Sequence, residues 1–305
     1  PPGSFILNTG RVRDHWHTMT RTGLSPRLSA HIAEPSVSLH SSEITRFGLV
    51  EGGFARLASA QGGAVLKVVA DDGVSPGDLF APIHWSDETA SAARIGALTQ
   101  PLCDPFSGQP EMKATPVAIR PVAYRFEGFV LSRQPFALPA GSWWSRLAVQ
   151  GGEGRLFATD ASVDAIAALM RERFGAEELT ELIDRDGGGY RCAVLREGRL
   201  LAVIFLSPAG RAPLCDTVKT VFADPAAAVP SRLALLAGRN PGGSDPGPTI
   251  CACFGVGLNA IRAAFVAGAA TAEEIGVQLK AGTNCGSCLP EIRRIGAQAR
   301  AIEAA

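Results

Sequence analysis

Seven cysteines carry the clearest chemistry in this chain: Cys103, Cys192, Cys215, Cys251, Cys253, Cys285 and Cys288. Four of them gather near the end as a C-x-C pair, Cys251 and Cys253, and a C-x-x-C pair, Cys285 and Cys288. An odd total with two close pairs does not read as a secreted disulfide framework. It reads as a metal site in a reducing compartment, with three scattered cysteines as ordinary core residues. Four thiolates arriving from two loops can surround one centre, and zinc and iron–sulfur clusters both accept four thiolates, so spacing alone does not choose between them.

The surrounding residues favour a cluster. Gly255 and Gly257 follow the first pair, and Gly282 and Gly286 flank the second. Glycines let backbone N–H groups approach the bridging sulfides, which need donors. A helix predicted after Gly257 would aim its N-terminus at the anionic centre. Gly255-Val256-Gly257-Leu258-Asn259-Ala260 also matches G-x-G-x-x-A, a dinucleotide fingerprint. No alternating βαβ pattern follows it, and the cysteine pair interrupts its start, so the nucleotide reading has little support.

A second chemical segment opens the chain. After an apolar strand at 5–7, residues 8–23 (NTGRVRDHWHTMTRTG) pack three arginines, two histidines and four threonines around a tryptophan. Thr9-Gly10 ends the strand in a turn, where free N–H groups beside Arg and Thr donors suit a phosphate or a polar heterocycle. A solvated loop over a buried Trp is the plain alternative. His15 and His17, one residue apart on extended backbone, point opposite ways, which suits chelation poorly.

Both segments resemble known modules. The C-x-C pair, the Gly-rich helix start with Ile261-Arg262, T-x-x-E-I and G-T-N-C-G-S-C-L-P-E-I are similar to the bacterioferritin-associated-ferredoxin-like (BFD-like) [2Fe–2S] domain over 249–297. That resemblance implies Cys251, Cys253, Cys285 and Cys288 as cluster ligands. L-N-T-G-R-V-R-D-H-W-H-T-M-T-R-T-G-x-S-P-R-L, with A-P-I-H-W, S-A-A-R-I-G-A-L-T and D-P-F-S-G-Q-P-E-M-K-A-T-P-V in order, resembles the molybdopterin-dinucleotide-binding domain of bacterial assimilatory nitrate reductases. It implies a double-psi β-barrel over 5–120 that grips one pterin dinucleotide of a molybdenum bis(molybdopterin guanine dinucleotide) cofactor. On that resemblance Thr9, Gly10, Arg11, His15, His17, Thr18 and Thr20 lie near the pterin or its phosphates, and His84, Trp85, Gln109 and Lys113 line the same site. Gly96 departs from the pattern, standing where the family commonly has Asn.

The elements that must position these residues fall into three segments. Residues 1–122 show short strands split by Gly and Pro. These include 54–58 and 64–70 joined at Gln61-Gly62-Gly63, strands near 79–83 and 117–122, and a short Ser-capped helix at 41–47. Residues 123–240 suggest a small α+β unit, with an amphipathic helix at 162–174 stopped by Gly175. A hairpin of 190–195 and 200–206 turns at Arg196-Glu197-Gly198. Residues 240–248 read as a linker, and 246–305 as a small all-α [2Fe–2S]-binding domain. There a helix spans 258–267, a capping box starts at Thr271, and a last helix begins near Glu291.

The chain has 305 residues, with 29 Lys plus Arg against 29 Asp plus Glu, so no global field steers nucleic acid or an anionic membrane. No apolar run approaches a membrane span; 200–206, the longest, reads as a buried strand. No signal peptide is visible, so the expected location is cytoplasmic. No nucleophile elbow or P-loop occurs. The first residues, Pro1 and Pro2, suggest a fragment.

The combined expectation is the C-terminal part of a nitrate reductase. The implied partners are an N-terminal catalytic portion with a [4Fe–4S] cluster, a flavoprotein or ferredoxin donor, and nitrate as substrate, with neither nucleic acid nor membrane. The fragment alone is expected to be inactive. The alternatives are a non-catalytic electron-transfer subunit, a related molybdopterin oxidoreductase with another substrate, and a zinc-stabilised interaction module.

Overall fold

Strict alternation in the first strand sets the architecture. In β1 (Ser4–Gly10), Phe5, Leu7 and Thr9 point inward and Ser4, Ile6 and Asn8 outward, the period-2 pattern of a strand with one buried face. A computed structural model of the chain describes residues 4–213, 215–224, 232–238 and 246–303. In it β1 closes a six-stranded barrel with β2 (Ser36–Leu39), β3 (Phe54–Ala58), β4 (Gly63–Ala70), β5 (Asp78–Pro82) and β6 (Thr115–Val122), in the order β1-β5-β2-β4-β3-β6. β1 runs parallel to β5, and β2 parallel to β4; the other pairings are antiparallel. Leu7, Leu39, Leu57, Leu66 and Leu79 fill the barrel and are fully buried.

The helix α1 (Ser41–Arg46) forms where expected, but its cap is not a serine. His40 caps it, its Nδ1 accepting the Ser42 N–H at 3.2 Å. An imidazole with an unprotonated nitrogen serves an orphan N–H as well as a hydroxyl does.

A six-stranded antiparallel sheet follows, with the order β10-β11-β12-β7-β9-β8. Its strands are β7 (Phe126–Ser132), β8 (Trp143–Leu147), β9 (Glu153–Thr159), β10 (Leu179–Asp184), β11 (Gly189–Arg196) and β12 (Arg199–Pro208). The central β12 holds the apolar run foreseen as buried. Its hairpin with β11 turns on Glu197 (φ 52°) and Gly198 (φ 75°), the left-handed pair that a tight two-residue hairpin requires. Helix α2 (Val163–Phe174), capped by Ser162 and ended by Gly175, lays Ile166 and Met170 on one face of the sheet. Helices α3 (Asp216–Ala223) and α4 (Arg232–Ala237) cover the other face with Val218, Phe222, Leu235 and Leu236.

Cys192 lies in the first of these cores, where burial pushes its thiol up to about 12. Cys215 is half-buried and pushed up to about 11. Cys103 differs from expectation: it is exposed, on a stretch from 101 to 110 that is exposed throughout.

Barrel and sheet share a seam. Phe54 and Val65 of the barrel pack on Trp143 and Ala158, and the Trp143 indole N–H donates to Val65 O at 3.0 Å. Beside them Lys67 forms a buried ion pair with Glu127 and sits 4.1 Å from the Phe54 ring centroid, which compensates two buried charges.

The C-terminal segment is not wholly helical. A ribbon of β13 (Thr249–Cys251) and β14 (Val256–Gly257) precedes α5 (Leu258–Val266), α6 (Ala272–Leu279) and α7 (Leu289–Glu303). Strands this short leave no readable periodicity. Ile261, Phe265, Ile275, Ile292 and Ile295 form the core, joined by Cys251 and Cys288. Thr271 caps α6 by accepting the Glu274 N–H, while the Glu274 carboxylate takes the Ala270 N–H at 2.7 Å. The foreseen linker falls largely at 239–245, outside the described residues. Among the described residues no helix is long and apolar enough to cross a membrane.

Candidate functional site

The four C-terminal cysteines arrive on two loops. Cys251 ends β13 and Cys253 follows in a turn that Gly255 completes at φ 65°. Cys285 and Cys288 lie between α6 and α7, with Gly282 and Gly286 at φ 86° and 74°. The thiols come as two pairs, each taking one cysteine from each motif. Cys253 Sγ and Cys285 Sγ are 3.4 Å apart, and Cys251 and Cys288 are in hydrogen-bonding contact. All four are free thiols.

Among the described residues no group of three or more His, Cys, Asp or Glu side chains is arranged to hold a single metal ion. Two thiol pairs suit a group with two irons that each take two thiolates, so the donor set fits a [2Fe–2S] cluster.

The two pairs differ in environment. Cys251 and Cys288 are each 2% exposed, whereas Cys285 is open to solvent and Cys253 is half-buried. The Ser287 hydroxyl and backbone N–H, then Cys253, hold Cys285 below the usual thiol range. Burial, then Cys251, pushes Cys288 up to about 11. Loading iron therefore requires Cys288 to release a proton that burial holds on it, while Cys285 is readier to ionise.

The start of α5 serves a different purpose from the one expected. Its Leu258 and Asn259 N–H groups donate to Pro248 O at 2.8 Å and Pro246 O at 3.0 Å. The end of the linker folds over the helix N-terminus and takes those donors itself.

The polar loop after β1 is held from beneath by His84. His84 is fully buried; its Nε2 accepts the Val12 N–H at 2.9 Å and its Nδ1 donates to His17 O at 2.6 Å. That pattern requires a neutral ring with the proton on Nδ1. Burial, followed by the nearby Arg11 charge, keeps the His84 pKa down, although the bond to His17 opposes the shift. His15 is also buried, close to Thr22 Oγ1 at 3.3 Å, with its pKa lowered by burial and then by His84. Trp85 is 3% exposed and stands edge-on to His15 at 5.9 Å.

Above this base the loop is strained, with His17 at φ 44° and Met19 at φ 59°. Left-handed backbone at two non-glycine residues is stored strain of the kind that collects at binding sites. Buried Met19 anchors the loop, while Arg11, Trp16, His17, Thr18 and Thr20 face solvent. His15 lies inside and His17 outside, so the two do not converge, although the backbone at His17 is left-handed rather than extended. The Arg11 guanidinium lies 4.9 Å over Trp16 and has no hydrogen-bond or ion-pair partner among the described residues. An open guanidinium beside exposed threonine hydroxyls on a strained loop fits a phosphorylated, polar ligand such as a pterin dinucleotide.

Other expected contacts are engaged within the protein. Thr9 Oγ1 donates to Met112 O at 2.6 Å and Lys113 Nζ donates to Thr9 O. Gly10 has no room for a side chain, since a Cβ would lie 2.6 Å from the Phe80 ring. Gln109 is exposed on the segment leading to β6.

Residues 5–116 match the model of the family described as Molydopterin dinucleotide binding domain, and residues 249–297 that of the BFD-like [2Fe-2S] binding domain. The chain carries both modules. A nitrate reductase of Klebsiella oxytoca is 40% identical over 95% of this chain and 33% of its own length. A nitrate reductase of Shewanella frigidimarina is 32% identical over 47% of this chain and 17% of its own. An F420-dependent formate dehydrogenase subunit alpha of Methanocaldococcus jannaschii is 28% identical over 38% of the chain and 16% of its own. The chain thus spans about a third, or less, of the length of these relatives.

The two modules touch through residues that motif reading did not single out. Arg13, Arg27 and His31 of the pterin-side loops meet Glu291 and the cysteine loops of the BFD-like domain, and Asp14 braces Arg13 and His31 from behind. The Glu291 carboxyl is held below the usual carboxylate range by its hydrogen bond from His31, against burial, with Arg13 adding to the effect.

Two predictions arise here. The place of Gly96 is open: a Cβ there would meet nothing within 4 Å, and the residue is exposed. Gly96→Asn should therefore leave the thermal midpoint within about 2 °C of the parent, as a surface change does. It should also tighten binding of a pterin guanine dinucleotide, measured by calorimetry. Unaltered affinity would show that the missing amide makes no cofactor contact.

The second prediction concerns pH. Because His15 and His84 have folded pKa values below the unfolded 6.5, the folded state resists protonation. Their contribution is complete above pH 6.5 and is lost as pH falls toward the lowered folded values. Urea midpoints should drop between pH 7.5 and 5, with a shallower drop in His84→Gln. Parallel slopes would contradict the neutral-imidazole assignment.

Proposed function

We propose that this chain is the C-terminal portion of a molybdenum-dependent assimilatory nitrate reductase. In it the barrel closes over one pterin dinucleotide and the tail passes electrons toward it. The observation that carries the reading is 40% identity to a nitrate reductase running through both modules and the sheet between them. The mixed parallel and antiparallel pairings of the barrel support the finer assignment of a double-psi topology. Three units follow from the same reading: 1–122 for the pterin, 123–240 as a docking or spacing unit, and 246–305 for the cluster.

On this reading the chain's own residues bind and position. Arg11, His17, Thr18 and Thr20 offer donors to the pterin dinucleotide. Thr9, Gly10 and Lys113 shape the end of β1, and His84, His15 and Trp85 support the loop from below. Gln109 approaches from the exposed segment. Cys251, Cys253, Cys285 and Cys288 hold the iron–sulfur group.

The bound cofactors supply one-electron relay at the iron and oxygen-atom chemistry at the molybdenum. Reducing nitrate to nitrite and water takes two electrons and two protons, so two single-electron passages serve each turnover. The donor is a reduced flavoprotein or ferredoxin, and seven free cysteines suit a reducing, cytoplasmic setting. The preceding catalytic portion, with its [4Fe–4S] cluster, completes the site, and the chain alone is expected to be inactive.

A chimaera tests this directly. The corresponding C-terminal third of the Klebsiella oxytoca enzyme is replaced by this chain and supplied with reduced viologen. Nitrite formation is the expected result. A chimaera that contains molybdenum and iron and reduces another oxyanion, but not nitrate, overturns the substrate assignment.

A further inference from the structure

The pterin-side loops and the cysteine loops are joined by two guanidinium groups whose partners are informative. Arg13 Nη1 donates to Glu291 Oε2 at 3.0 Å and to Ser287 O at 3.4 Å, and its Nη2 donates to Ile250 O. Arg27 Nη1 donates to Cys253 O at 3.1 Å. Ile250 directly precedes Cys251, and Ser287 directly precedes Cys288. Two arginines of the barrel domain thus hold main-chain carbonyls in both cysteine motifs.

Arg13 is itself fixed. Its Nε donates to Asp14 Oδ2 at 3.2 Å, and His31 lies between the acids, 3.1 Å from Asp14 Oδ2 and 3.5 Å from Glu291 Oε2. The Arg13 side chain is only 18% exposed. One residue earlier, Val12 is tied to His84 beneath the pterin loop. A fork of five donors on a braced backbone is suited to reading carbonyl positions, as a flexible ammonium is not.

We propose that Arg13 is a positioning residue for electron transfer, assisted by Arg27. It clamps the cysteine loops onto the pterin loop, so that the buried Cys251–Cys288 edge faces inward. The exposed Cys253–Cys285 edge, with half-exposed Phe254 beside it, is left for the donor. This rests on the cluster reading above. The clamp has an electrostatic consequence as well. A cluster gains negative charge on reduction, and a nearby, poorly hydrated guanidinium stabilises that state more than the oxidised one, so Arg13 raises the potential.

The test uses the full chain with its cluster loaded. Arg13→Gln is compared with Arg294→Gln, which removes an exposed arginine that also pairs with Glu291, at 3.7 Å. Midpoint potential is read by EPR titration, and amide exchange is followed at 250–254 and 285–289.

In Arg13→Gln the potential should move negative and exchange in both loops should rise about tenfold, a partly exposed ion pair being worth less than a buried one. Iron content should be unchanged. Arg294→Gln should match the parent in both measurements. Full iron with parental potential and exchange in Arg13→Gln overturns the proposal.

Should that variant lose iron, Arg13→Lys carries the test. It keeps the charge and loses the fork, so a near-parental potential with raised exchange is expected, and parental exchange overturns the clamp. An unmodified chain that takes up no iron overturns the underlying cluster reading instead, which separates the two failures.

Discussion

Replacing Cys288 by serine should strip the chain of its iron and unfold the C-terminal domain at a lower temperature than the rest of the chain. Cys288 is 2% exposed and belongs both to the inner thiol pair and to the core of α5, α6 and α7. Serine removes a thiolate that iron needs and leaves a hydroxyl in an apolar setting, at about 1–3 kcal/mol if it finds no partner. The larger loss is the binding energy of the iron. In a domain this small, metal binding is coupled to folding. Iron analysis and differential scanning calorimetry check this. Cys103→Ser, at an exposed thiol outside the two pairs, should keep its iron and its transitions. Parental iron content in Cys288→Ser would remove that residue from the ligand set.

Gly257→Ala should do comparable damage by a different route. Its backbone is ordinary, at φ −93°, so conformational freedom is not the issue. Space is: a Cβ would lie 2.0 Å from Pro246 O and 2.8 Å from Gly247 O. Both are main-chain atoms, and the Pro246 carbonyl also accepts from Asn259 N. A methyl group would force the linker end off the start of α5 and unpair the ribbon that places Cys251. Overpacking against backbone costs about 3 kcal/mol, at the upper end of the usual range. Gly255→Ala is the informative comparison. Gly255 sits at φ 65° with nothing within 4 Å, so alanine there costs only about 1 kcal/mol in backbone strain. Calorimetric midpoints should rank parent, Gly255→Ala and Gly257→Ala in falling order. The reverse ranking of the two variants would contradict the packing argument.

The features legible in the sequence are those encoded locally. The apolar strand at the start of β1, the amphipathic stripe of α2 with Ser162 and Gly175 at its ends, and the Glu197-Gly198 turn each depend on residues a few positions apart. The cysteine motifs are legible for the same reason, and their ordered glycines carried the BFD-like resemblance.

What was hidden depends on distance along the chain. Arg13 stands within the polar loop beside Asp14, yet its other carboxylate partner, Glu291, is 278 residues away, and no periodicity encodes that contact. His84 read as a group lining the pterin site. The fold places it beneath the loop, where its two nitrogens grip the main chain of Val12 and His17. The N-terminus of α5 read as an anion site, and proline carbonyls of the linker occupy its first N–H groups. In each case a tertiary partner takes a donor or acceptor that looked free in the linear sequence.

The most direct measurement is anaerobic purification of the chain with iron, sulfide and zinc analysis, a visible spectrum, and EPR after dithionite reduction. About two irons and two sulfides per chain with an S = 1/2 signal on reduction is the predicted result. A colourless protein holding one zinc would contradict it and remove the electron-transfer role from the tail.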